Sequence, residues 1–192
     1  VITSLEHAPA AGEVGQLQRL KVAGIPVVET TVLMGLEVEF YQLGNLAEQL
    51  RRTFAGVFGA RLDEEKLEAA SAQAERLLRE SYLLPERSEE VKAALPGGSL
   101  LVRYAGEAPF SLEPGPQEAL WALKRLWASR WQVDAVLERA PELAPPEVPS
   151  LIQAVQGSLE LDPILSQQAS QVLGAAVRIW SSSGRAVWVA VS

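Results

Sequence analysis

Apolar positions recur three and four apart over residues 36–56, where Leu36, Phe40, Leu43, Leu46, Leu50 and Phe54 define one helical face. Gly44 stands inside that run and predicts a break in it. A second helix is expected from Asp63. Asp63, Glu64 and Glu65 place negative charge at the positive end of its dipole, and Leu67, Ala70, Ala74, Leu77 and Leu78 make its buried stripe. Ser88-Glu89-Glu90-Val91 has the form of a capping box and predicts a third helix, Ser88 to Leu95, stopped by Pro96-Gly97-Gly98. A fourth is expected over 116–138, with proline in its first turn and a face of Leu120, Leu123, Trp127, Trp131 and Ala135.

Strand patterns are shorter. GIPVVETTVL, residues 24–33, is rich in β-branched side chains. Leu100, Leu101 and Val102 form a buried run that ends on Arg103, and a partner strand is expected near Phe110-Ser111-Leu112. ELAPPEVP, residues 142–149, reads as a stiff connector, followed by a strand in SLIQAVQGSLEL. VRIWSSSGRAVWVAV predicts a closing hairpin that bends at Ser181-Ser182-Ser183-Gly184. The sum is an α+β protein. Residues 1–98 form a mostly helical part on a small mixed or antiparallel sheet, and residues 99–192 form an α/β part ending in the hairpin.

Composition narrows the partners. With 48% apolar residues in a chain of 192, a sizeable core is expected. The net charge of −7 argues against nucleic acid as a partner. There is no cysteine, so disulfides, thiolate nucleophiles and cysteine-bound metals are excluded. No apolar run is long enough to span a bilayer, and VITSLEHAPAAGEVG lacks the basic and apolar regions of a secretory leader. A cytoplasmic protein is the expectation. Asn45 is the only asparagine and Met34 the only methionine, a composition that suits a heat-adapted source and a GC-rich genome alike.

Few residues carry chemistry. His7, the single histidine, has no second histidine, cysteine or nucleophile motif to work with and reads as a solvated terminal side chain. The acidic runs at 63–65 and 89–90 read as helix-dipole partners rather than metal ligands. Pro96-Gly97-Gly98-Ser99 lacks the lysine of a phosphate-binding loop. Trp127 and Trp131 fall on the core stripe, and Trp121 lies partly off it. Trp180 and Trp188 flank the last turn as a cross-strand pair that would mark a partner surface if exposed. Arg103, delivered by a strand to its end, is the candidate anion ligand.

Several stretches, in order, resemble the N-terminal nucleotide-binding region of the phosphoenolpyruvate synthase and pyruvate phosphate dikinase family. Ala11-Gly12-Glu13, Leu17, Leu20 and Ala23-Gly24-Ile25-Pro26-Val27 resemble its opening Gly-Gly-Lys, spaced leucines and Ala-Gly-Leu-Pro-Val. Leu101-Val102-Arg103 resembles its Ala-Val-Arg-Ser-Ser-Ala strand end. Glu118-Ala119-Leu120 to Trp127-Ala128-Ser129 resembles its Glu-Ala-Leu helix, which closes on Cys-Trp-Ala-Ser. Pro149 to Gln153 resembles its Val-Gln-Met strand. The resemblance spans most of residues 11–157 and implies a partial ATP-grasp-like fold.

The departures point away from catalysis. The family's phosphate-contacting lysine aligns with Glu13, and at ~4 Å and an effective dielectric of ~20 that reversal moves the interaction by roughly 8 kcal/mol at most. Tyr104 and Ala105 replace the two serines, and Gly106-Glu107-Ala108-Pro109 joins Arg103 almost directly to Phe110. No Gly-Leu-Gly-Glu segment follows, so the second lobe with its acidic metal ligands is not expected here.

The resemblance therefore implies a degenerate, non-catalytic module that binds or regulates, beside a protein partner or a second copy. No catalytic residue, metal ligand or certain cofactor is assigned. The alternative is an ATP-binding half-enzyme for phosphoryl transfer. There Arg103 would hold a phosphate and Gln153 a base or ribose, and a partner chain would supply the magnesium ligands. A third reading is a chain unrelated to that family. Under the first reading Arg103 is expected in a structural ion pair or on a carbonyl, with Glu107 close enough in sequence to neutralise it.

Overall fold

The chain begins with strand β1 (Ile2–Ser4), a 3-10 turn (Leu5–His7) and helix α1 (Gly12–Val22), in a computed structural model that describes residues 1–191. Strand β2 (Thr30–Leu33) leads into helices α2 (Leu36–Gln42), α3 (Leu46–Thr53), α4 (Glu64–Glu80) and α5 (Pro85–Ala94). The antiparallel pair β3 (Leu100–Tyr104) and β4 (Ser111–Glu113) follows, then helices α6 (Pro116–Ser129) and α7 (Val133–Arg139). Strand β5 (Ser150–Ala154), strand β6 (Glu160–Asp162), helix α8 (Pro163–Leu173) and the hairpin of β7 (Val177–Ser182) and β8 (Arg185–Val191) complete the order.

This is an α+β fold. Five strands form one antiparallel sheet in the order β1-β2-β5-β3-β4, and three form a second in the order β6-β7-β8. The expected mixed or antiparallel sheet is thus antiparallel in every ladder, and Val27 makes an isolated parallel bridge to Ala186. Strands from before and after residue 98 interleave in the larger sheet, because β2 pairs with β5 and β5 with β3. The boundary expected at 98 and 99 therefore runs through one shared set of hydrogen bonds.

Alternation along the strands sends successive side chains to opposite faces. Leu33, Leu100, Val102, Tyr104 and Ile152 pack with Phe40, Leu67 and Trp127 of the helices. Val32 and Leu151 face the other way, onto Leu17 and Leu20 of α1, Leu165 and Ala169 of α8, and Ile179 and Val189 of the smaller sheet. The larger sheet is therefore a central layer, with α2–α7 on one face and α1, α8 and the second sheet on the other.

Most predicted helices form where the periodicity places them. The 36–56 run breaks at Gly44, which takes φ 58 inside a 3-10 turn (Leu43–Asn45). Asp63 caps α4 by accepting a hydrogen bond from the Lys66 N–H.

Some expectations need correction. α5 starts at Pro85, not Ser88, since proline suits the first helical position and the Ser88 N–H already donates to the Leu84 carbonyl. Glu89 and Glu90 accordingly lie inside that helix rather than at its start. The 116–138 helix is two, because Gln132 adopts an extended ψ of 153 and turns α7 so that Val136 also reaches the core. The 24–33 strand is regular only over β2, and SLIQAVQGSLEL divides between the two sheets at Gly157, whose φ is 74. α1, α8 and β1 carry too little apolar periodicity to be predicted.

Candidate functional site

Arg103 and Tyr104 are consecutive at the end of β3, so the pleat points them to opposite faces. Each finds a buried glutamate. On the face toward the smaller sheet, Arg103 Nη1 and Nη2 donate to Glu13 Oε1 and Oε2 at 2.6 and 2.7 Å. On the helical face, the Tyr104 hydroxyl donates to Glu37 Oε1 at 2.7 Å.

The Arg103 cluster is closed. The guanidinium is 0% exposed. Its Nε donates to Gln153 Oε1 at 2.8 Å, Nη1 also donates to the Glu107 carbonyl, and Nη2 also donates to the Val187 carbonyl. All five N–H donors of the guanidinium thus have acceptors within the chain. Glu13 is as fully engaged, accepting from the backbone N–H of Gly106 and of Val189 besides Arg103. Gly106 turns the chain with φ 82, a conformation glycine adopts without strain, and so aims its N–H at that carboxylate. Gln153 is buried too, and its amide nitrogen donates to Thr30 Oγ1 and the Val187 carbonyl.

These contacts do what a neighbouring strand would do. β8 is an edge strand, and an edge leaves backbone groups unpaired. The Ala186 N–H and carbonyl pair with the Pro26 carbonyl and the Val28 N–H. Beyond that point the side chains of Arg103, Gln153 and Glu13 take over, on the Val187 carbonyl and the Val189 N–H. The cluster joins the edge of one sheet to the face of the other.

The sequence brought Arg103 and Gln153 forward as nucleotide ligands, and neither presents a polar atom to solvent. The expected ion pair is present, but its carboxylate is Glu13 and not Glu107, which contributes only its backbone carbonyl. His7 is exposed. Trp127 and Trp131 are core, as their spacing predicts, and Trp121 is exposed. Trp180 and Trp188 are cross-strand partners with stacked rings 5.9 Å apart. No protein-family model matches this chain, and no curated protein matches it.

The second glutamate stands at an open site. Glu37 lies in the first turn of α2, on the floor of a cleft of about 460 Å³ between α2, α3, Trp131 and the 143–148 connector. Glu37 Oε2 accepts from the Tyr41 hydroxyl at 2.7 Å, and the Tyr41 hydroxyl oxygen in turn accepts from Trp131 Nε1 at 3.1 Å. Arg130 lies 4.0 Å from Glu37 and stacks on the Tyr104 ring at 3.9 Å. Burial pushes the Glu37 carboxyl above its ordinary range, against the opposing pull of Arg130 and the two tyrosine hydroxyls. Burial and the facing Glu37 charge push both tyrosines up as well.

Arginines also hold the connector wall. Arg130 Nη1 donates to the Pro146 carbonyl, and Arg139 Nε donates to the Leu143 carbonyl at 2.8 Å. Sequence reasoning did not single out Glu37, Tyr41 or Arg130. One signal was present: Glu37 and Tyr41 stand four apart on a short amphipathic helix, within reach of each other.

Proposed function

We propose that this chain is a non-catalytic binding or regulatory module, a degenerate relative of the ATP-binding region of phosphoenolpyruvate synthase and pyruvate phosphate dikinase. The order of the matching stretches supports the kinship. The observation that carries the loss of chemistry is the Arg103–Glu13 pair. The arginine that resembles the family's phosphate ligand is buried and bidentate to a carboxylate that stands where the family has lysine.

An ATP-binding half-enzyme would need Glu13 to swing away from Arg103. Separating a buried pair costs about 3–5 kcal/mol before any nucleotide is gained. A phosphate arriving beside an engaged Glu13 would meet like charge. The module reading therefore assigns binding to a protein partner or a second copy, and none to nucleotide at Arg103.

Calorimetry and thermal melting with ATP and magnesium test this. The expected result is no saturable heat and an unshifted Tm, because a ligand that binds only the native state must stabilise it. Saturable binding at millimolar or tighter affinity, with a raised Tm, would favour the half-enzyme.

A further inference from the structure

The cleft over Glu37 has a polarity of its own. Its walls are apolar and aromatic, with Leu33, Val38, Leu50, Trp131 and Pro145 among the lining residues. The charged side chains that line it are three carboxylates, Glu37, Glu48 and Glu147, against the single guanidinium of Arg51. Arg51 is already paired with Glu48. Arg130 does not line the cleft, since it stacks on Tyr104 and donates to Pro146. Glu37 accepts one tyrosine hydroxyl on each oxygen, which leaves each oxygen a further lone pair. The cleft therefore offers hydrogen-bond acceptors and negative charge inside an apolar shell.

We infer that this cleft binds a small apolar organic cation, of the alkylammonium or arylalkylammonium class. Its hydrocarbon part lies against Trp131, Tyr41 and the proline wall, and its ammonium group points to Glu37 and Glu147. The volume, about 460 Å³, lies in the range of small-molecule sites. A cation gains from the carboxylates while its hydrocarbon part gains from burial against the apolar and aromatic walls. A neutral ligand of the same shape would gain nothing from the carboxylates, and an anion would meet Glu37 and Glu147 as like charges. The inference names a ligand class for the binding-module reading but does not use the family resemblance. The ATP titration and the experiment below fail independently.

The test uses the full chain labelled with nitrogen-15 and follows the indole N–H of Trp131. Three probes of one shape are titrated: phenethylammonium, 2-phenylethanol and 3-phenylpropionate. The cation is expected to shift that resonance saturably below about 10 mM, with the alcohol roughly tenfold weaker or more and the carboxylate without effect. Ala47→Trp, at an exposed lining position, should abolish the cation's effect while leaving the other indole resonances in place. Glu37→Gln should bring the cation down to the level of the alcohol. Equal shifts from cation and alcohol, undiminished binding by the Ala47→Trp protein, or no saturation by the cation would each overturn the inference.

Discussion

The Glu13 carboxylate, in the first turn of α1, grips the Arg103 guanidinium at the end of β3 through two parallel hydrogen bonds of 2.6 and 2.7 Å. The two residues are 90 positions apart in sequence, and both are buried. Their remaining hydrogen bonds reach the backbone of Gly106, Glu107, Val187 and Val189. The pair thus fastens α1, the turn after β3 and the free edge of β8 to one another.

Breaking this pair should cost more than an ordinary core change. Glu13→Ala or Arg103→Met leaves an uncompensated buried charge, and a loss of about 3–5 kcal/mol is expected in urea unfolding. The double variant Glu13→Leu with Arg103→Met should remain destabilised. Isolated buried pairs often tolerate apolar replacement, but here the Val187 carbonyl still has Gln153 while the Val189 and Gly106 N–H groups lose their acceptor. Each orphaned group costs about 1–3 kcal/mol. A double variant as stable as the wild type would show that the pair does not hold the edge of β8.

Glu37 gives stability a pH signature. Its folded pKa is raised above the ordinary value of 4.5, so the folded state holds that proton more tightly than the unfolded state does. The contribution is fully present below 4.5 and is lost as pH rises through the raised folded value. Glu37→Gln removes it. The stability of the wild type relative to that variant should therefore fall in paired urea melts as pH rises from 4.5 through the raised folded value. A difference that stays flat, or grows, would contradict the burial of the carboxyl.

The Trp180–Trp188 pair has its own readout. Stacked indoles 5.9 Å apart on paired strands should give an exciton feature in circular dichroism. Trp180→Ala should abolish it and cost about 0.5–1.5 kcal/mol beyond the area lost. Persistence of the feature in that variant would place its origin elsewhere.

The hairpin turn tests backbone geometry alone. Ser183 and Gly184 both take positive φ, 48 and 77, as a two-residue turn of the primed type requires. Asparagine tolerates that region better than serine, so Ser183→Asn should raise Tm slightly. Gly184→Ala should destabilise by about 1–2 kcal/mol, although a Cβ there would meet open space. An unchanged Tm for the alanine variant would mean that the turn relaxes into another form.

Much of the helical layer was legible because its apolar positions keep a strict 3.6 period, as Leu36, Phe40, Leu50, Leu67, Ala74 and Leu78 do. The hairpin was legible from its β-branched runs and its Ser-Gly bend. α1 was not, because its buried face carries Glu13 beside Val14, Leu17 and Leu20. A charge in the core defeats a reading that expects charges outside. The same residue explains why the partner of Arg103 was misassigned: proximity in sequence favoured Glu107, whereas the fold supplies Glu13. The cleft was hidden for a related reason. Its wall comes from a proline-rich connector with no periodicity, and its polar floor depends on Tyr104, Tyr41 and Arg130 converging from three separate segments.

The central claim is that Arg103 is engaged by Glu13 and holds out nothing to an anion. The most direct measurement is nitrogen-15 NMR of the Arg103 side chain during titration with ATP and magnesium. The account predicts slowly exchanging guanidinium protons whose resonances stay fixed throughout. Saturable movement of those resonances, with loss of their protection, would contradict it and return Arg103 to the role of a phosphate ligand.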